Sequence, residues 1–280
     1  VLEINKTLLV YRNWSGVGDW IMAMTVLKMV NQQFPDIDIY VNLKARNYFA
    51  EIRNEPIELP NLVKAIIKNF NVKIKGYTFL DKPENFRKDY DYISGNMTYT
   101  KNGINFIEGM VDGFNQNTQL KLKYDKNVFA QYSHDYAKVS IINEPYILMQ
   151  SCSKRRELER NGKEYGFNNM VSIANNLSNY SRVVQLGQKG DLEIPNISIY
   201  LEVPLNLLYS LMINCIAFVG LDGGLGVFAS HHNIKQFIIY KNANSFSWTN
   251  FPNRIQIDGS KLNPEKISKL IIDNLEEVYA

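Results

Sequence analysis

The sequence predicts an α/β protein built as two successive doubly wound halves with a cleft between them, and three observations carry that reading. Strand-like apolar runs alternate with helical periods along most of the 280 residues. The alternation restarts on a buried strand at 146–150, after a polar, Tyr-rich stretch from 115 to 145 that has no clear period. Each half also carries a glycine turn with an aspartate between a strand and a helix: Gly16-Val17-Gly18-Asp19 in the first, Asp222-Gly223-Gly224-Leu225-Gly226 in the second. Open α/β sheets bind ligands at such carboxyl ends of strands. The predicted boundaries are 1–140, 141–262, and a terminal helix over 263–280.

In chain order, 7–11 (TLLVY) reads as a buried strand and 21–30 (IMAMTVLKMV) as a largely buried helix. A strand at 37–42 follows Phe34-Pro35. Segments 47–52 and 62–70 read as helical or mixed, 91–94 as a short strand, and 103–114 as a helix with Ile104, Ile107 and Val111 on one face. In the second half, 168–177 is a helix, 182–186 a strand ending at Gly187, 197–201 a short strand and 204–214 a helix opened by proline. Strands at 216–220 and 236–240 flank the second glycine turn. The helix at 264–279 places Ile267, Leu270, Ile271 and Leu275 on one face.

The first turn is a candidate site. Gly16 and Gly18 permit a tight turn and close approach of a ligand. Asp19 falls in the first helical turn, where free backbone N–H groups favour a carboxylate. It is the candidate general base; the competing reading is an N-capping aspartate on an ordinary βα turn. A dinucleotide fingerprint fails here, because its third glycine position is Ile21 and Asp19 would repel a pyrophosphate. The turn therefore suits a ligand with hydroxyls. Trp14 and Trp20 flank it and either stack on a sugar face or pack at a domain edge.

The second turn reads Gly224-x-Gly226-x-x-Ala229 between a strand and a helix, an arrangement that presents backbone N–H groups to an anion. A glycine-rich structural turn is the alternative. Asp222 itself does not favour phosphate; it either accepts hydrogen bonds from sugar hydroxyls or organises the turn. After the strand at 146–150 come Ser151, Ser153 and the cations Lys154, Arg155, Arg156, Arg160 and Lys163, which suit a diphosphate or form a solvated basic loop. Gly187 and Gln188, after the next strand, reach the same cleft.

Composition excludes several classes. The chain is 45% hydrophobic and 21% charged with a formal net charge of +3, too weak a balance to argue for nucleic acid. Two cysteines and three histidines without ligand spacing imply no disulfide framework and no metal site. No apolar run is long enough to span a membrane and no leader segment is visible, so the expected compartment is the cytoplasm.

Together these motifs resemble glycosyltransferase family 9, the heptosyltransferase-type enzymes. The shared features are a strand followed by Gly18-Asp19, an apolar helix ending at Phe34-Pro35, Lys163-Glu164-Tyr165-Gly166, and Asp222 through Ala229. Two positions depart: Gly223 stands where the family has Thr or Ser, and Val227 where it has His. His231 and His232, one turn further on, are possible substitutes.

The resemblance implies a GT-B fold: two Rossmann-like domains facing across a cleft, an acceptor domain first and a nucleotide-sugar domain second, with the C-terminal helix packing back on the first. It implies inverting, metal-independent transfer from a nucleotide sugar, used as co-substrate with no cofactor. The acceptor is a hydroxyl on a glycan such as lipopolysaccharide core. Asp19 would be the base. Ser151, Ser153, Lys163, Gly187, Gln188, Asp222, Gly223, Gly224, Leu225 and Gly226 would hold the donor, and Trp14, Gly16, Gly18 and Trp20 the acceptor. Three rival readings are a transferase acting on hydroxylated bases in DNA, a sugar-nucleotide epimerase, and a non-catalytic nucleotide-sugar binding module. The Tyr-rich stretch from Tyr77 to Tyr136 is what a DNA acceptor would use.

Overall fold

The computed structural model describes residues 6–12, 16–46, 56–95, 106–132, 141–151, 164–241, 251 and 253–279. The chain divides into two compact units, Val1–Ser133 and His134–Ala280.

The first unit is a four-stranded parallel sheet in the order β5-β2-β1-β6, formed by β1 (Lys6–Val10), β2 (Ile37–Asn42), β5 (Gly76–Thr78) and β6 (Tyr92–Ser94). A small antiparallel pair, β3 (Lys44–Arg46) and β4 (Pro56–Glu58), stands apart from it. Helix α1 (Val17–Gln33) starts at Gly16, whose backbone is extended, and stops at Phe34, because the residue before a proline resists the helical conformation. Its residues from Trp20 to Leu27 are all buried. Helices α2 (Asn61–Asn69) and α3 (Phe106–Thr118) pack against it.

The aperiodic stretch after 115 has a simple cause. As far as residue 132 it finishes α3 and then runs as a strap along α1, held by side chains of that helix. Ala130 N–H donates to Thr25 Oγ1 (3.0 Å), Lys28 Nζ donates to the Phe129 carbonyl (3.0 Å), and Gln33 exchanges two 2.8 Å hydrogen bonds with the Lys123 backbone. A strap whose backbone is satisfied by another element needs no period of its own.

The second unit is a six-stranded parallel sheet in the order β12-β11-β10-β7-β8-β9. Its strands are β7 (Tyr146–Met149), β8 (Arg182–Gly187), β9 (Ser198–Leu201), β10 (Ala217–Gly220), β11 (Gln236–Tyr240) and β12 (Arg254–Asp258). Numbered from β7, the order is the 3-2-1-4-5-6 of a dinucleotide-binding sheet. Among the described residues, four helices accompany it: α4 (Phe167–Ser178), α5 (Leu205–Ile213), α6 (Gly224–His231) and α7 (Pro264–Tyr279). One core joins Ile147, Val219 and Phe237 of the sheet to Met170, Ile173 and Leu177 of α4 and to Ile267, Ile271 and Leu275 of α7. Within this unit, Ile267, Ile271 and Leu275 of the last helix's apolar stripe are buried in the same core, and the helix packs against α4. Among the described residues, no helix is long and apolar enough to cross a membrane.

Candidate active site

Each sheet reverses its strand order once, and a reversal opens a crevice at the carboxyl ends of the two strands involved. In the first unit the reversal lies between β1 and β6, where Val10 pairs with Ser94 and Tyr11 N–H donates to the Ser94 carbonyl at 3.0 Å. The first glycine turn rises from this point. Asp19 is the third residue of α1, and the turn closes with a 3.2 Å hydrogen bond from Trp20 N–H to the Gly16 carbonyl.

A Cβ on Gly16 would sit 2.5 Å from Asp19 Oδ2, so the glycine is what lets the carboxylate fold back over the helix start. Asp19 Oδ1 lies 3.7 Å from Arg12 Nη2; the arginine is buried, while the aspartate side chain keeps 29% of its surface exposed. Gly18 lies in the same helical turn. Ser94 Oγ is fully buried at the crevice and has no hydrogen-bond partner among the described residues. Sequence reasoning missed Arg12 and Ser94, since neither has a local signature.

Trp20 requires a correction. It is the largest fully buried side chain of the described chain and part of the core under α1, so it does not stack on a sugar. Trp14, Ser153 and Lys163 lie outside the described residues.

In the second unit the reversal lies between β7 and β10, joined past the strand ends by Gln150 N–H to the Val219 carbonyl at 2.9 Å. Three of the predicted segments meet this rim. Ser151 is buried, and its hydroxyl accepts from Gln185 Nε2 (3.0 Å) and donates to the Leu192 carbonyl (3.4 Å). That ties the end of β7 to the loop after β8, so the hydroxyl is engaged in structure. Gly187 and Gln188 open that loop, and Asp191 closes it by accepting the Gln188 N–H at 2.8 Å. A Cβ on Gly187 would meet the same carboxylate at 2.8 Å. Asp191 was not anticipated, although Gln188-Lys189-Gly190-Asp191 is a turn sequence and Gly190 adopts a positive φ of 87°.

The glycine turn itself holds the main surprise. Asp222 is buried and ion-paired: Arg254 Nη1, from β12, donates to Asp222 Oδ1 at 3.0 Å, with the two side chains 0% and 5% exposed. The guanidinium also faces the Phe251 ring at 4.9 Å and Ser230 Oγ at 3.4 Å. Of the two readings of Asp222, the geometry favours the one in which it organises the turn. Pairing also neutralises its charge, which removes the repulsion it would exert on an anion. Beyond it, Gly224, Leu225 and Gly226 form the first turn of α6, whose N–H groups the helix itself leaves free. A Cβ on Gly226 would press on Arg254 Nη2 at 3.2 Å and the Leu221 carbonyl at 3.3 Å, whereas one on Gly223 would meet nothing within 4 Å.

The two histidines do not reach this turn. They lie at the carboxyl end of α6, where His231 Nδ1 bonds the Val227 carbonyl at 2.8 Å and His232 packs between Tyr209 and Phe228. Burial pushes their pKa values down to about 3 and about 4, so both are neutral and neither supplies charge to a phosphate. Among the described residues, no group of three His, Cys, Asp or Glu side chains is arranged to hold a metal ion.

This architecture is shared with solved glycosyltransferases. A family 9 glycosyltransferase from Veillonella parvula superposes with a TM-score of 0.71 at 12% identity, covering 99% of each chain. The E. coli ADP-heptose LPS heptosyltransferase II gives 0.68 at 15% identity, covering 98% of this chain and 100% of its own. The fold is GT-B. An iron-containing dodecameric glycosyltransferase, TibC from enterotoxigenic E. coli, shares it with a TM-score of 0.57 at 14% identity over 89% of this chain and 63% of its own. No protein-family model matches the sequence, and no curated protein matches it. Within the GT-B units the two glycine turns occupy the two strand-order reversals, and none of these three similar structures supports a DNA acceptor.

Proposed function

We propose that this chain is an inverting, metal-independent glycosyltransferase of the heptosyltransferase type, working in the cytoplasm. It moves a sugar from a nucleoside-diphosphate donor to a hydroxyl of a glycan such as lipopolysaccharide core. The observation that carries this reading is the pairing, on a GT-B fold, of a partly exposed carboxylate at one strand-order reversal with free helix N–H groups at the other. Asp19 takes the proton of the acceptor hydroxyl as its oxygen attacks the anomeric carbon. The bond to the nucleoside diphosphate breaks, and the charge developing on it is met by the first turn of α6 and by Lys163 and Ser153. The arginine-paired Asp222 holds that turn in shape. Gly16 lets the Asp19 carboxylate fold back over the helix start, and the acceptor binds beside this turn at Gly16 and Gly18.

The test is incubation with a panel of nucleotide sugars, with and without glycan acceptors. Release of free nucleoside diphosphate only when acceptor is present supports transfer. Isomerised sugar nucleotide without acceptor marks an epimerase, and binding without turnover marks a binding module. Turnover is expected to survive excess EDTA; loss in EDTA that added manganese, magnesium or iron restores would sink the metal-independent mechanism.

A further inference from the structure

We propose that the outer edge of the first unit's sheet is a docking surface for an anionic lipid bilayer. Strand β5 is the edge strand, and the chain around it alternates strictly: Lys73, Lys75, Tyr77 and Phe79 are exposed, and the residues between them are partly buried. In an extended chain alternate residues share one side. The exposed residues therefore form a row of two ammonium groups followed by two aromatic rings.

Tyr77 is 37% and Phe79 53% exposed; among the described residues, the only other exposed large apolar side chains are Ile141 and Leu192 in the second unit. Lys68 of α2 extends the row, with its Nζ 5.6 Å from the Tyr77 ring centroid. Lysines on an edge strand are explained by the need to discourage pairing with other chains, but an exposed phenylalanine beside them is not.

The row is held rigidly. Asn31 exchanges two hydrogen bonds with the Lys73 backbone (2.7 and 3.1 Å), and Asn42 exchanges two with the Leu80 backbone (2.9 and 3.0 Å). Two acids beside it are ion-paired, Asp38 with Lys75 at 3.5 Å and Asp81 with Lys44 at 2.6 Å, so the charge of Lys75 is engaged within the protein and the cations offered to a surface are Lys68 and Lys73. The wider charge agrees. Residues 1–133 hold 17 Lys and Arg against 14 Asp and Glu, and 134–280 hold 14 of each, so the whole net charge of +3 resides on the first unit.

Rings at headgroup depth with long-stemmed cations beside them match the boundary of a bilayer bearing negative lipids. A protein partner would call for a broader continuous apolar patch than two rings supply. The surface is independent of the reaction assigned above.

The experiment is co-sedimentation with vesicles of phosphatidylcholine alone or mixed with phosphatidylglycerol. The protein should bind the mixed vesicles and not the neutral ones, and high salt should release it. The Tyr77→Ser/Phe79→Ser variant and, separately, the Lys68→Glu/Lys73→Glu variant should each weaken binding at least about tenfold, with melting temperatures unchanged; each lysine near such a surface contributes roughly fivefold. Equal binding to both vesicle types, or variants that bind like the parent, would overturn the proposal. So would a dimer in sedimentation that the aromatic variant dissolves, because the row would then be a contact between two copies.

Discussion

The two glycine turns look alike in sequence and differ in what their aspartates do. Both set a carboxylate near a helix start at a strand-order reversal, and both have an arginine beside it. At the first turn the contact is loose: Arg12 Nη2 is 3.7 Å from Asp19, which remains 29% exposed. At the second it is a 3.0 Å hydrogen bond between two buried side chains, Asp222 and Arg254. A carboxylate that keeps solvent and a long contact is available to a substrate proton. One sealed against a guanidinium is part of the scaffold. In the function proposed above, the same residue type at the same kind of junction is divided between chemistry and architecture by burial and by the closeness of its ion pair.

The sharpest break of this comparison is Asp19→Asn, for which the largest effect is expected. The amide keeps the size and removes the base, so turnover should fall at least about a hundredfold, the low end for a positioned general base. Donor affinity and melting temperature should hold, since the proposed donor site belongs to the second unit. Turnover that survives would make Asp19 a structural residue like Asp222, and the asymmetry between the turns would vanish. A collapse of donor binding would reverse the roles assigned to the two units.

The counterpart at the second turn should be read in stability. Arg254→Met or Asp222→Asn removes one partner of a buried pair and strands the other, a loss of about 3–5 kcal/mol. For a chain of this size that corresponds to a melting temperature lower by roughly 10 °C. The double variant should recover part of the loss. Thermal shifts of each single variant below about 2 °C would show that the pair does not hold the turn.

How much of this was legible in the sequence follows from where each signal lives. The strand–glycine–helix junctions were legible because turn chemistry is local, and so was the restart at the second sheet. Arg254 was not, because it meets Asp222 across 32 residues and nothing near either one announces the other. Strand β5 escaped because its three residues start on Gly76 and include no aliphatic side chain, whereas the equally short β6 carries Ile93. The burial of Trp20 escaped because α1 is buried on nearly every side, so no polar face marks which aromatic lies inside. Ser151 looked like a ligand hydroxyl because its partner Gln185 lies on the next strand.

Acid separates the two units more gently. Residues 1–133 contain no histidine, whereas the second unit holds buried His231 and His232 behind its turn. Desolvation lowers their pKa values from 6.5 to about 3 and about 4 in the folded protein. Below pH 6.5 the unfolded chain therefore binds protons that the folded chain refuses. The contribution to stability is complete above 6.5 and is lost as pH falls from there toward 4 and then 3. Between pH 6.5 and 5 the two groups together should cost about 3 kcal/mol, read as a falling melting temperature. The His231→Gln/His232→Gln variant should flatten that slope. An unchanged slope would place the acid sensitivity elsewhere.

The smallest effect is expected at Gly223, and it decides whether the second turn is an open seat or merely a tight bend. Its backbone is extended, with φ of −162°, a conformation that any residue adopts, and an added Cβ would meet nothing within 4 Å. Gly223→Ser should therefore fold normally, with a gain of a few tenths of a kcal/mol from a serine at the helix N-cap. If the turn seats a diphosphate, the new hydroxyl lies beside it and should tighten nucleotide binding by about 1 kcal/mol, the usual net value of one hydrogen bond. Gly226→Ala supplies the contrast, because its methyl would press on Arg254 Nη2 at 3.2 Å and should cost roughly 1–3 kcal/mol as overpacking. Isothermal titration with a nucleoside diphosphate and thermal melts of both variants separate the cases. A Gly223→Ser protein that melts as low as Gly226→Ala would show a closed turn with no room for a ligand.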